Sequence, residues 1–112
     1  MKLVTWNTQW CCGLDGRVSA ARIVDGARAL AGEGGFDVLC LQEIAQGYAD
    51  MPGAPGDQPA EIEALLPGYQ VFFGAAVDEI NAQGQRQRFG NLIATRLPVA
   101  LVEHHRLPWP AD

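Results

Sequence analysis

Apolar side chains are arranged in two strand-like runs with a helical pattern between them. Residues 2–7 are rich in strand-forming side chains, and residues 36–42 are nearly all apolar but too few for a typical helix. From Arg17 to about Ala31, apolar residues recur every three or four positions, which predicts a helix with one buried face. The continuous second run is typical of a strand that is covered on both sides of a sheet.

A strand, a helix and a second strand in this order predict a right-handed βαβ unit with parallel strands. The predicted strands close at Asn7 and Gln42, and Glu43 follows directly. Because parallel strands end on the same edge of a sheet, Asn7 and Glu43 are expected to lie close enough to share a ligand. Proteins of the α/β class bind ligands at such edges. The alternative is a solvated glutamate and an asparagine that merely caps a turn.

The remainder of the chain predicts one more helix and three more strands. A polar hairpin connection is expected over 78–87, and a tight turn over 96–98. Residues 107–110 are not predicted to be strand. The predicted elements are, in order, a loop over 46–58, a helix over 59–66, and strands over 69–77, 89–95 and 99–105.

Composition narrows the class of protein. The chain has 112 residues, of which 48% are hydrophobic, enough for one small domain or a piece of a larger one. The net charge of −5 and pI near 4.8 argue against a broad basic surface for duplex DNA, but a bound divalent cation would still allow a phosphate substrate. The chain has three cysteines, Cys11, Cys12 and Cys40, an odd number that lacks the spacing of a zinc site. This pattern indicates a reducing compartment. No apolar run suits a signal or membrane segment, so a cytoplasmic chain without membrane insertion is expected.

Three motifs, in order, resemble the opening motifs of a known superfamily. They are Leu-Val-Thr-Trp-Asn-Thr-Gln at 3–9, Asp-Val-Leu-Cys-Leu-Gln-Glu at 37–43, and Gly-Asn-Leu-Ile-Ala-Thr-Arg-Leu-Pro-Val at 90–99. They are similar to motifs of the endonuclease/exonuclease/phosphatase superfamily, the deoxyribonuclease-I-like metallohydrolases. The resemblance implies a four-layer α/β/β/α sandwich with a mixed sheet, of which residues 1–112 are the N-terminal part of a single domain.

The resemblance also implies a metal site. It makes Glu43 the ligand of a divalent cation, Mg²⁺ or Mn²⁺, and Asn7 the neighbour that helps to hold the metal or the phosphate. Magnesium suits this arrangement because it binds few protein carboxylates and completes its shell with water and substrate phosphate. Arg88 and Asn91 flank the fourth predicted strand and are candidate contacts to a phosphate, although a merely solvated hairpin explains them equally well.

The later motifs of the superfamily are missing from the chain. A Gly-Asp-x-Asn segment and a terminal Ser-Asp-His, which supply the general base, do not occur in the sequence. His104 and His105 are poor substitutes because no suitably placed acid pairs with either one. The expected function is a metal-dependent phosphoesterase acting on a phosphate ester, possibly nucleic acid, with this chain supplying the metal edge alone. The alternative is a non-catalytic fragment or a phosphate-binding or assembly module.

Apolar residues are expected on both faces of the sheet. Val38 to Leu41, and likewise Phe72 and Phe73, alternate between the two faces. Helices cover one face, so the other requires a partner. We therefore expect the chain to pair with a missing C-terminal half or to self-associate as a sheet-on-sheet dimer.

Overall fold

The computed structural model describes residues 1–49, 51, 56–105 and 107, which form a mixed four-stranded sheet and two helices. The strand order is β1-β2-β4-β3, with β1 parallel to β2 and the other pairs antiparallel. The predicted mixed α/β class is confirmed. The elements are β1 (Leu3–Asn7), α1 (Ala20–Ala31), β2 (Val38–Gln46), α2 (Gln58–Leu65), β3 (Gln70–Ile80) and β4 (Arg86–Thr95).

The first half is the expected βαβ unit. The strands β1 and β2 pair in parallel from Leu3–Val38 to Asn7–Gln42. The helix α1 begins later than predicted because Ser19 is its N-cap, with a hydroxyl that accepts a hydrogen bond from the Arg22 amide at 3.2 Å. Its last turn is closed by Gly32 at φ 75°, a conformation that favours glycine.

The core lies on one face of the sheet, beneath both helices. Alternate residues of β2 and β4 point into it, and α1 and α2 contribute their apolar faces. On the opposite face, Leu3 is 52% exposed and Ile93 is 47% exposed. We call this second side the open face, since no described helix covers it. The fully buried core side chains include Val24, Phe36, Leu39, Leu41, Ile62 and Leu92.

Two predictions about β2 and the hairpin need correction. The strand β2 does not close at Gln42 but continues to Gln46, because Ile44 and Ala45 are fully buried and resume pairing with β4. The hairpin strands are also longer than predicted, so that only residues 81–85 connect them. Paired charges on the two strands support the longer ladder, since Arg86 binds Asp78 through Nε and Nη2 at 2.8 and 2.7 Å.

The predicted fifth strand is wrong. Residues 97–105 form no strand, and Pro98 at the start of this segment has no backbone N–H to donate to a ladder. The segment crosses part of the open face instead, where Val102 lies near Phe72 and Ile93 and His104 lies against Gly74. Leu107 is outside any strand, as predicted, whereas the predicted non-strand positions 108–110 lie outside the described residues.

The remaining expectations concern the second helix, the cysteines and the membrane. The helix α2 lies within one residue of its predicted bounds, and Asp57 is its N-cap. All three cysteines are free. Within the described ranges, no helix has the length and apolar character needed to cross a bilayer.

Candidate metal-binding edge of the sheet

Asn7 ends β1 and lies beside Gln42 and Glu43 of β2, which continues to Gln46; we call this end of β1 the edge. Asn7 is the last residue of β1 and pairs with Gln42, so Glu43 is the next residue along the adjacent strand. The Asn7 side chain is exposed, and its Oδ1 accepts a hydrogen bond from the Gln9 amide at 3.2 Å. A carboxamide oxygen has a second lone pair, which leaves capacity for a cation.

A β-bulge sets the position of Glu43. Leu41 pairs with Leu92 and Ile44 pairs with Gly90, so Gln42 and Glu43 together oppose the single residue between them, Asn91. Glu43 has a φ of 60°, in the left-handed region. Bulges of this kind re-aim a side chain and are frequent next to active sites.

The bulge leaves the Glu43 carboxylate available. Among the described residues, this half-buried carboxylate makes no hydrogen bond or ion pair. The neighbouring Gln42 side chain turns away from it, since its Nε2 donates to Thr5 Oγ1 at 3.1 Å and to the Cys40 carbonyl at 3.2 Å. A half-buried acid without a protein partner is suited to a cation from solution.

Asn91 lies across the bulge from Glu43, within β4 rather than at the end of a strand. It is exposed in β4, pairs with Gly74 of β3 and faces the bulge of β2. Adjacent strands lie about 4.8 Å apart, so the backbones of Asn7 and Asn91 are about 10 Å from each other with Glu43 between them. Asn91 therefore lies two strands away from Asn7, and the cavity that it lines with Arg88 and His104 includes neither Asn7 nor Glu43.

The loop after β1 is strained. Gln9, Trp10 and Cys11 have consecutive φ values of 49°, 47° and 60°. The left-handed conformation costs about 1–2 kcal/mol per non-glycine residue. Together with Glu43, these are all the non-glycine residues with positive φ in the described part of the chain. Such strain persists only where the surroundings enforce it, and it concentrates at functional sites.

Hydrogen bonds from Thr8 hold this loop against the bulge. Thr8 is 3% exposed, and its hydroxyl lies 3.0 Å from the Gln42 carbonyl and 3.3 Å from the Glu43 carbonyl. Its Oγ1 also accepts from the Cys11 amide at 3.3 Å. The Trp10 amide donates to the Glu43 carbonyl at 2.7 Å. The strained loop and the bulge thus support each other.

Gln58, the first residue of α2, connects the loop and β2 from the core side. It is 2% exposed. Its Oε1 accepts from the Ala45 amide at 3.0 Å, and its Nε2 donates to the Trp10 carbonyl at 2.7 Å. Both ends of the buried amide are therefore satisfied.

Arg88 is placed differently from the other predicted site residues. Its guanidinium stacks 5.2 Å from the centre of the Phe73 ring, Nη1 lies 3.4 Å from Gln46 Oε1, and Nε lies 3.8 Å from Asp78 Oδ2. The Arg88 Nε is enclosed and forms no hydrogen bond with a described residue. The structure thus places Arg88 and Asn91 on one cavity, while the Arg88 guanidinium itself is held against Phe73.

The histidines lie over the open face, and Cys11 is buried beside Thr8. The expectation that no acid pairs with either histidine is wrong for His105, which is exposed and lies 3.0 Å from Glu103, whereas His104 lies against Gly74. Burial raises the pKa of the Cys11 thiol to about 11, which keeps this thiol protonated near neutral pH. Within the described ranges, no cluster of three His, Cys, Asp or Glu side chains is arranged to hold a metal ion.

Comparisons with known proteins return no match. No protein-family model, no curated protein and no solved structure is similar to this chain at the level that would indicate a relationship. What the chain does is therefore inferred from its own residues.

Several residues that shape the edge were not predicted from the sequence. The pair Gln42-Glu43 has the pattern of a strand end, so nothing in it indicates the bulge. Thr8 directly follows the predicted ligand Asn7, but a single threonine after a strand carries no specific signal. Gln58 is a polar residue at the start of a helix, where Asp57 is the cap, so its position alone indicates no further role. Long-range hydrogen bonds like those of Gln58 leave no periodic pattern in a sequence.

Proposed function

We propose that this chain forms the metal-binding edge of a divalent-metal-dependent phosphoesterase of the endonuclease/exonuclease/phosphatase superfamily. The observation that carries the proposal is the pairing of Asn7 with the Gln42–Glu43 bulge. It puts a carboxamide and an unpartnered carboxylate on neighbouring parallel strands. The strained backbone around them supports a functional role, because strain of this kind needs a compensating advantage.

The donor atoms suit a hard cation. Glu43 and Asn7 offer carboxylate and amide oxygens, which favour Mg²⁺ or Mn²⁺ over softer metals. Such an ion neutralises charge on phosphoryl oxygens and aids departure of the leaving oxygen. Glu43 would hold the ion by charge, and Asn7 would hold it by its amide oxygen. The Asn91 side-chain amide would donate to a phosphoryl oxygen and orient the phosphate ester.

The arrangement of layers supports the wider resemblance. Both helices lie on one face of the sheet, and the open face retains apolar residues such as Leu3 and Ile93. In a four-layer sandwich, a second sheet would pack on that face. The general base would come from that second half, since the Asp–His pair has no counterpart in the sequence.

Substitution of Glu43 tests the metal site. The change Glu43→Gln keeps the shape of the side chain and removes its charge, so Mn²⁺ affinity is expected to fall about 10-fold or more, as for other changes to a metal environment. The measurement is broadening of the Asn7 and Gln42 amide resonances during titration with Mn²⁺. The matched control is Glu63→Gln, on the exposed side of α2. Equal Mn²⁺ affinity in the native chain and in Glu43→Gln would reject the assignment.

The chain alone is expected to have no phosphodiesterase turnover. A positioned general base contributes about 10²–10⁴-fold to rate, and the sequence lacks the motif that supplies one. The assay is hydrolysis of bis(p-nitrophenyl) phosphate with Mg²⁺ by residues 1–112. The Glu43→Gln protein, purified in parallel, controls for contaminating nuclease. Mg²⁺-dependent hydrolysis that Glu43→Gln abolishes would refute this expectation.

The open face favours a second candidate, a non-catalytic phosphate-binding or assembly module. In that case the face would serve association, and the edge would bind phosphate without turning it over. The two functions separate in the Mn²⁺ titration. A chain that associates through the open face but shows no Mn²⁺ binding that depends on Glu43 would be an assembly module.

A further inference from the structure

We infer that Gln58 is a positioning residue that holds Asn7 and Glu43 in the geometry needed to bind the cation. The inference rests on the proposed metal function and extends it to a residue outside the edge itself. Gln58 touches neither the cation nor the substrate in this scheme. It acts through the backbone of the two segments that carry the ligands.

Gln58 forms hydrogen bonds with the backbone two or three residues after each candidate ligand. Its Oε1 receives the amide of Ala45, two residues after Glu43, and its Nε2 donates to the carbonyl of Trp10, three residues after Asn7. The partners lie 13 and 48 residues away along the chain. One side chain therefore fixes the backbone on the far side of each ligand.

The resulting hydrogen bonds form a closed circuit. Gln58 binds the Trp10 carbonyl, the Trp10 amide binds the Glu43 carbonyl at 2.7 Å, and β2 leads from Glu43 to Ala45 and back to Gln58. Trp10 and Glu43 both have positive φ, at 47° and 60°. Without the Gln58 amide, the Trp10 carbonyl and the Ala45 amide would be left without partners in the core. Both segments would then be free to relax toward unstrained backbone angles.

Capping of α2 does not account for Gln58. Asp57 is the N-cap, and its Oδ1 accepts from the Ala60 amide at 3.0 Å. Pro59 in the first turn adds a residue that needs no amide partner. The helix start is therefore satisfied without the Gln58 side chain, whose two hydrogen bonds both go to the loop and to β2.

The test compares two changes in the same helix. Gln58→Met keeps the length of the side chain but removes both hydrogen bonds, and Mn²⁺ affinity is expected to fall about 10-fold. Ile62→Ala, one turn later in α2, removes a fully buried core side chain and leaves the Gln58 amide in place. It is expected to lower thermal stability while changing Mn²⁺ affinity less than about 2-fold, within the scatter of such measurements.

A second measurement needs no metal. NMR couplings that report φ should show Trp10 and Glu43 in the left-handed region in the native chain and in Ile62→Ala, but not in Gln58→Met. If Gln58→Met does not fold, Gln58→Glu replaces it. A glutamate keeps an oxygen for the Ala45 amide but, when ionised, has no hydrogen to donate to Trp10.

The outcomes separate this inference from the metal function. Unchanged couplings and unchanged Mn²⁺ affinity in the Gln58 variant would overturn the inference alone. Equal loss of Mn²⁺ affinity in Ile62→Ala would also overturn it, because general destabilisation would then explain the effect. If the native chain binds no Mn²⁺ but Gln58→Met loses the left-handed couplings, the metal function fails. Gln58 would then shape the fold only.

Discussion

The two faces of the sheet differ although the same strands form both. On the helix side, Leu39, Leu41, Leu92 and Ala94 are completely buried. On the open face, the alternating residue Ile93 is 47% exposed. The pleat alone decides which neighbour is covered. One face holds this chain together, and the other offers apolar area that residues 99–105 cover only in part.

The two ends of the parallel strands differ as well. At the start of β2, Asp37 accepts hydrogen bonds from the Lys2 amide at 2.7 Å and from Arg96 Nε at 2.9 Å. At the far end, the Glu43 carboxylate has no such partner among the described residues. Asp37 links separate segments through its side-chain hydrogen bonds, whereas the position of Glu43 is set by its backbone conformation. Paired acids serve the fold, and an unpaired one at a strained bulge is better suited to a ligand.

The largest loss of stability is expected from a substitution on the helix-covered face of the sheet. Leu92→Ala removes a fully buried side chain and leaves a cavity, so the free energy of unfolding should fall by about 2–5 kcal/mol. Ile93→Ala, the adjacent residue on the open face, should cost much less in the monomer. Urea unfolding of both variants measures the difference. Equal losses would mean that a partner already covers the open face.

Association should depend on the open face. Covering apolar surface is favourable by about 25 cal/mol per Å². Burial of the open face should therefore favour self-association or pairing with a missing C-terminal half. Light scattering after size exclusion should therefore show more than a monomer, and Ile93→Lys should raise the monomer fraction. A native monomer that unfolds cooperatively and does not bind a hydrophobic dye would contradict this prediction.

The smallest loss of stability is expected from a substitution of Asp37, at the start of β2. The Lys2 amide and the Arg96 guanidinium hold the pKa of Asp37 below its usual range. A lowered pKa in the folded state stabilises the fold above the unfolded pKa, about 3.9 for Asp, and the gain is lost as pH falls through the folded value. Asp37→Asn should lower the melting temperature at pH 7, by an amount that shrinks as the pH is lowered below about 3.9. If the melting temperatures of the two proteins differ by the same amount at every pH, the assignment is contradicted.

The sequence predicted where the first two strands lie better than it predicted where β2 ends. The apolar run before Gln42 and the helical spacing in α1 suffice for a parallel βαβ unit, and from it follows the shared edge of Asn7 and Glu43. The bulge was missed because Gln42 and Glu43 are polar in any strand-end pattern. Only pairing with β4 reveals that Ile44 continues the strand.

The predicted fifth strand failed for a related reason. Residues 99–102 form an apolar run that suits a strand, but such a run does not supply a neighbour to pair with. Pro98 turns the chain out of the ladder, and Val102 and His104 lie over the open face instead. Local pattern predicted the conformation of single elements, whereas bulges, bracing hydrogen bonds and strand partners depend on residues far away in the chain.

The short strand β1 has a consequence for local unfolding. Its five residues form the outer strand of the described sheet beside β2, whereas β2 and β4 lie between neighbours. Amides of β1 should therefore exchange with solvent through partial opening that leaves the rest of the sheet intact. Each opening would carry Asn7 away while Glu43 stays in place. A ligand that bridges the two residues would lower the exchange rate by the factor 1 + [L]/Kd, so the protection of the β1 amides would report its binding.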